Sequence, residues 1–161
     1  MKFNRLWLWP LLLAILTLPL SQSAIGRGVD KFYYLTPAQT VEYIHSFKGK
    51  KAVFLYASWC GYCRKAMPDL ITIEKQRPGS VIAVSTDKDP KALLRYLASY
   101  PDVPFHVIAL KGETQFDNIE ARLNVAPREG IPHFILIDGQ NIVAASQNMG
   151  AADVADYVLR P

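Results

Sequence analysis

The sequence predicts an α/β sandwich, in which helices cover both faces of a mixed β-sheet. Three observations carry that prediction. The apolar runs "KKAVFLYAS" and "SVIAVSTD" do not alternate, as in strands covered on both sides. Helix-like segments stand between and after them, so β and α alternate along the chain. Near the end the pattern changes to a β-hairpin, "IPHFILID", a Gly139 turn and "NIVAASQNMG", followed by a closing helix in "AADVADYVLR".

The elements can be justified in order. Thr36-Pro37-Ala38-Gln39 reads as a helix start, with Thr36 as N-cap, Pro37 in the first turn and Gln39 completing a capping box. That helix runs to about Phe47, with Val41, Ile44 and His45 on one side. Lys48, Lys50 and Lys51 then precede the first buried strand and read as charged gatekeepers around it. "CRKAMPDLITIEKQ" is a helix opened by the cysteines and interrupted by Pro68. After the strand "SVIAVSTD" comes the helix "DPKALLRYLASY", with Asp89 as cap and Pro90 in its first turn. "PFHVIAL" reads as a short strand and "ETQFDNIEARLNV" as a further helix.

Composition bounds the function classes. A chain of 161 residues, half of them apolar, fits one domain with a real core. Its formal charge is +4, but Lys2 and Arg5 precede a hydrophobic segment, and the remainder holds 16 basic against 14 acidic residues. That balance, without clustering on one face, argues against a nucleic-acid partner.

The N-terminus "MKFNRLWLWPLLLAILTLPLSQSA" has a short basic region and a 15-residue apolar run, Leu6 to Leu20, carrying Pro10 and Pro19. A spanning helix wants roughly 20 apolar residues, and a signal core about 7–15. Residues 1–23 therefore read as a secretory signal, or as an uncleaved anchor, ahead of a domain over residues 24–161. Either reading exports the domain, to the periplasm or an equivalent extracytoplasmic space, since the basic residues stay inside.

Export changes the meaning of the two cysteines, Cys60 and Cys63, in "YASWCGYCRKAMP". As a staple the pair closes only four residues, where cross-links stabilise chiefly by closing long loops. As a structural zinc site it lacks a second Cys pair, and His45, His106 and His133 show no paired spacing. A cycling dithiol remains, and Cys-x-x-Cys is the spacing that chemistry uses. No other cofactor is implied. A strand running straight into a helix places Cys60 at a helix N-terminus, where amide groups and the dipole stabilise a thiolate. Arg64 and Lys65 add positive charge nearby. Cys60 then attacks a substrate disulfide, and Cys63, one turn later and more buried, resolves the mixed disulfide. Trp59 and Tyr62 read either as ordinary core packing or, because they flank a reactive site, as flat apolar surface for an incoming peptide.

On three features the sequence resembles the thioredoxin superfamily: "WCGYC" after an apolar strand, Pro68 five residues beyond Cys63, and "GIPHFILID". The resemblance implies that superfamily's three-layer sandwich, a cis Ile131–Pro132 bond facing the cysteines, and a substrate backbone paired with Ile131. From the residues alone, Pro132 could equally be a trans proline opening a strand. The closer likeness, over roughly residues 35–160, is to the exported TlpA/DsbE-like branch. The 69-residue gap from Cys63 to Pro132 suits that branch by leaving room for an inserted helix. By the same resemblance the substrates are exported cysteine-containing proteins, and the electron donor is a membrane thiol transporter of the DsbD type.

Departures matter as much. Where thioredoxins carry a buried Asp the chain has Phe54, and where TlpA-like proteins often carry a Glu it has Ala66. The usual carriers of the resolving thiol's proton are therefore missing. His133 stands where the branch usually has Thr. It reads either as a proton relay beside the cysteines or as a polar residue facing solvent. Between the cysteines, Gly61-Tyr62 resembles the dipeptide of the isomerase DsbC, whereas thioredoxin has Gly-Pro and strong oxidants Pro-His. It suggests the reducing-to-isomerising half of a range spanning about −270 to −120 mV. Residues 24–35 are too few for a dimerisation domain, so a monomer is expected. The alternatives are a disulfide oxidase, and a non-enzymatic chaperone holding Cu(I) on the thiols.

Overall fold

The computed structural model describes residues 29–111 and 117–161; the segment read as a signal, residues 1–23, lies outside them. Strand β1 (Phe32–Leu35) leads through helix α1 (Pro37–Ser46) to β2 (Lys51–Tyr56). Helix α2 (Gly61–Gln76), β3 (Val81–Ser85), α3 (Pro90–Leu97) and β4 (His106–Leu110) follow. The chain closes with α4 (Asp117–Arg122), the hairpin β5 (His133–Ile137) and β6 (Val143–Gln147), and α5 (Ala151–Leu159).

The strands form one mixed sheet in the order β1-β4-β3-β2-β5-β6. β2 pairs parallel with β3 and antiparallel with β5, with Phe54 opposite both Ala83 and Phe134. From β2 through β3 to β4 the chain steps one way across the sheet. Right-handed crossovers put α2 and α3 on one face, and the reverse step from β1 to β2 puts α1 on the other. The two cores follow this division. Phe54, Met67, Leu70, Leu97, Phe134 and Val158 fill the layer under α2, α3 and α5. Ile44, Val53, Leu55, Ile119 and Ile135 fill the layer under α1 and α4. The predicted three-layer sandwich is the observed one.

Local signals explain most element ends. Thr36 and Gln39 form the expected capping box, and Asp89 accepts the Lys91 N–H at 2.9 Å. In the hairpin, Asp138 Oδ1 accepts the N–H groups of Gln140 and Ile142, and Asn141 takes the left-handed conformation at φ 64°. Four expectations need correction. β1 was not foreseen; it is a short edge strand that, among the described residues, pairs with β4. Pro68 does not interrupt α2, which runs through it for 16 residues. Met67, Leu70 and Ile73, all buried, anchor the turns on either side. The helix expected over "ETQFDNIEARLNV" is confined to Asp117–Arg122 among the described residues. Finally, Lys51 is no surface gatekeeper. Its side chain is buried, with Nζ 2.7 Å from Asn141 Oδ1 and 3.1 Å from the Phe47 carbonyl. Burial lowers its pKa, opposed by the Asp138 charge.

His106, at the start of β4, accepts the Tyr43 hydroxyl proton on Nδ1 at 2.6 Å and stacks on Tyr33. Burial, helped by the Lys31 cation, lowers its pKa from 6.5 to about 4. Between those values the unfolded chain holds more protons than the folded one. Stability is therefore expected to fall as pH drops from 6.5 to about 4, with no further loss from this group below. His106→Gln should flatten that part of a urea-midpoint profile; parallel profiles would contradict the assignment.

Candidate active site

The strand-to-helix junction after β2 builds the site. β2 is buried along its whole length, so residues 57–60 emerge from the sheet's centre with little freedom. Cys60 is the N-cap of α2, and the Cys63 N–H donates to Cys60 Sγ at 3.2 Å. The two sulfurs form a disulfide with Cα atoms 5.2 Å apart. Cys63 is 0% exposed and Cys60 7%, so what access there is falls on the first cysteine. Cys60 Sγ lies 3.6 Å from the Ile131 carbonyl oxygen, and the Ile131–Pro132 bond is cis. The distant loop read as facing the cysteines does face them.

Trp59 and Tyr62 are 68% and 73% exposed, an apolar surface on both sides of Cys60. Gly61 is exposed, and nothing lies within 4 Å of where its Cβ would stand. Lys65 Nζ sits 5.4 Å from the Tyr62 ring centroid. Phe54 is fully buried, stacked on Tyr56 and Phe134 at 4.9 and 5.0 Å, in the same apolar cluster as Cys63. No titratable group occupies that position, nor that of half-buried Ala66.

His133 requires a correction to both of its readings. It is buried, so it does not face solvent. Its ring nitrogens are taken by Ser146 Oγ at 2.8 Å and Asn148 Oδ1 at 3.0 Å. Alternation along β5 puts it on the side of Ile135 and Ile137, while Phe134 and Leu136 share the cysteines' side. Its ring therefore belongs to the opposite face of the sheet from the dithiol.

The sequence reading missed a clamp beneath the active loop. Asp87 accepts the Ser58 N–H at 2.8 Å and the Ser85 hydroxyl at 2.5 Å on Oδ2, and the Ser58 hydroxyl at 2.6 Å on Oδ1. Arg64 Nε donates to the Ser58 carbonyl at 2.6 Å, with its guanidinium 5.2 Å from the Tyr96 ring centroid. Every polar group of Ser58, two residues before Cys60, is thus held. The only sequence signal was a polar "STDKD" after a buried strand, 29 residues from Ser58. Asp87→Ala is expected to cost about 2–3 kcal/mol, because three donors lose a charged acceptor. Urea unfolding checks this; a cost under about 0.5 kcal/mol would show the clamp to be slack.

A dithiol at a helix N-terminus, beside a cis-proline loop on this sheet, defines a thiol–disulfide oxidoreductase of the thioredoxin superfamily. The chain belongs to the Redoxin family, whose model matches residues 30–158. Such proteins use the cysteine pair itself as the redox group, and their substrates and redox partners are in general proteins. Among solved structures the chain is similar to dsbF of MTB, at 18% identity and TM-score 0.55, covering 71% of this chain and 83% of that one. A thiol:disulfide interchange protein from Chlorobium tepidum TLS matches at 19% identity and TM-score 0.55, over 70% of this chain and 81% of that one. A secreted Mycobacterium tuberculosis disulfide oxidoreductase, homologous to E. coli DsbE, matches at 19% identity and TM-score 0.53, over 71% and 84%. At these identities the likeness is one of fold. No curated relative matched the chain. Among the described residues no helix is long and apolar enough to cross a membrane, and no cluster of His, Cys, Asp and Glu could hold a metal ion.

Proposed function

We propose that this protein is an exported thiol–disulfide oxidoreductase that reduces or isomerises disulfides in other exported proteins. The observation that carries the reading is the asymmetry of the dithiol. Cys60 is the less buried sulfur, it caps α2, and it receives the Cys63 N–H at 3.2 Å. In the reduced protein that N–H and the helix dipole favour a Cys60 thiolate.

The thiolate attacks one sulfur of a substrate disulfide. A bond forms from Cys60 Sγ to that sulfur, and the second substrate sulfur leaves as a thiolate and takes a proton. For reduction, the Cys63 thiolate then attacks Cys60 Sγ, restoring the Cys60–Cys63 disulfide and releasing the second substrate thiol. Two electrons pass to the substrate, and a membrane thiol transporter of the DsbD type returns them. In isomerisation the leaving substrate thiolate, before it is protonated, attacks a second substrate disulfide. The thiolate freed there attacks the substrate sulfur bound to Cys60, so Cys60 leaves as a thiolate and no net electrons pass. The Ile131 backbone pairs with the substrate chain beside Cys60, next to Pro132, while Trp59 and Tyr62 cover its apolar side chains. Residues 1–23 supply the export signal or a tether, and the domain acts as a monomer.

Purified reduced protein is expected to reduce a test protein disulfide, or to reactivate a scrambled one, and to equilibrate with glutathione nearer the thioredoxin end of the range. Failure at both tasks would sink the reading; an equilibrium near the DsbA end would make the protein an oxidase instead.

A further inference from the structure

A cavity of about 740 Å³ opens beside the dithiol, lined by Trp59, Arg64, Asp87, Lys88, Arg95 and Tyr96 among others. That volume suits a bound side-chain cluster or a short peptide segment. Trp59 is a wall of the cleft and the direct neighbour of Cys60, so a chain attached to Cys60 lies within a few residues of it.

The cleft's charges are unequal in what they have left to bind. Its two acids are committed within the protein. Asp87 is buried and already accepts three hydrogen bonds. Asp89 caps α3 through the Lys91 N–H and lies 3.6 Å from Arg95. Among the described residues, no carboxylate lies within ion-pairing distance of Arg64 or Lys88. Arg64 is held in place at its Nε by the Ser58 carbonyl and across its face by the Tyr96 ring, so little freedom remains to be lost on binding. The cleft therefore presents one pre-set guanidinium, with the exposed Lys88 ammonium on the same lining, beside an exposed indole.

Resting on the oxidoreductase reading, we infer that this cleft selects partners carrying an acidic segment within a few residues of the attacked cysteine. The segment's carboxylates meet Arg64 and Lys88, with Arg95, already 3.6 Å from Asp89, adding to the positive field, and its backbone and aliphatic parts lie against Trp59. Charge complementarity of this kind acts mainly on association rate and choice of partner.

The test uses three disulfide peptides of one sequence, with Glu, Ser or Lys at the positions nearest the cystine. For the reduced wild-type protein, kcat/KM at low ionic strength should be about tenfold higher for the Glu peptide than for the Ser peptide. The preference should shrink as salt is raised, and the Lys peptide should be the slowest. In the Lys88→Glu/Arg95→Glu protein the order of Glu and Lys peptides should reverse. The salt series on the wild type carries the test if that variant does not fold. Equal rates for Glu and Ser peptides, or a preference unmoved by salt and by the double substitution, overturns the inference alone. A wild-type protein that turns over none of the three overturns the oxidoreductase reading and the cleft with it.

Discussion

Replacing Cys60 with serine is expected to abolish disulfide turnover, lowering kcat/KM by about a thousandfold or more. A serine hydroxyl stays protonated where the N-cap position would hold a thiolate, so the attacking atom is lost. Cys63 cannot take over the attack, because it is fully buried within the apolar cluster. The fold should tolerate the change. The disulfide spans three positions of sequence, so its removal returns little chain entropy to the unfolded state. Turnover assays paired with a thermal melt separate the two effects. A large fall in Tm alongside the lost activity would return the pair to the role of staple.

The second large effect lies in the core. Phe54→Ala should cost about 3–5 kcal/mol, measurable as a lower urea midpoint. Phe54 is fully buried and stacks on both Tyr56 and Phe134, so the cavity left behind has rigid walls. Against a usual total of about 5–15 kcal/mol, such a loss takes a large share of the stability. A cost below about 1.5 kcal/mol would mean that the rings re-pack and that Phe54 is not the keystone of this layer. The same geometry bears on chemistry: where thioredoxins place an acid, this protein places a stacking ring.

Much of this was legible in the sequence because the signals were local. "KKAVFLYAS" lies fully buried as β2, as its unbroken apolar run required. The caps at Thr36 and Asp89 are side chains bonding backbone within three residues, which spacing alone can reveal. The dithiol sits where a strand gives way directly to a helix, and the Ile131–Pro132 loop meets it as the resemblance implied. The failures concern contacts that sequence spacing does not encode. β1 draws its backbone bonds from β4, some 75 positions away in the register Phe32 to Val107. Pro68 was read by propensity as a break, but burial of Met67, Leu70 and Ile73 outweighs one missing N–H. Lys51 looked like a solvated charge until the Asn141 and Phe47 oxygens closed around it. His133 looked adjacent to the cysteines because it follows Pro132, yet strand alternation turns its ring to the opposite face. Asp87 and Ser58 lie on different crossovers, and only the fold makes them partners.

The central claim is that Cys60 attacks and Cys63 resolves, and a trapping experiment tests it most directly. The Cys63→Ser protein, expressed in cells and resolved without reductant, should carry mixed disulfides from Cys60 to cysteines of other exported proteins. Those adducts should vanish on reduction and be absent from the Cys60→Ser protein. If Cys60→Ser traps partners as readily as Cys63→Ser, or if Cys63→Ser traps none, the assignment of roles within this dithiol is contradicted.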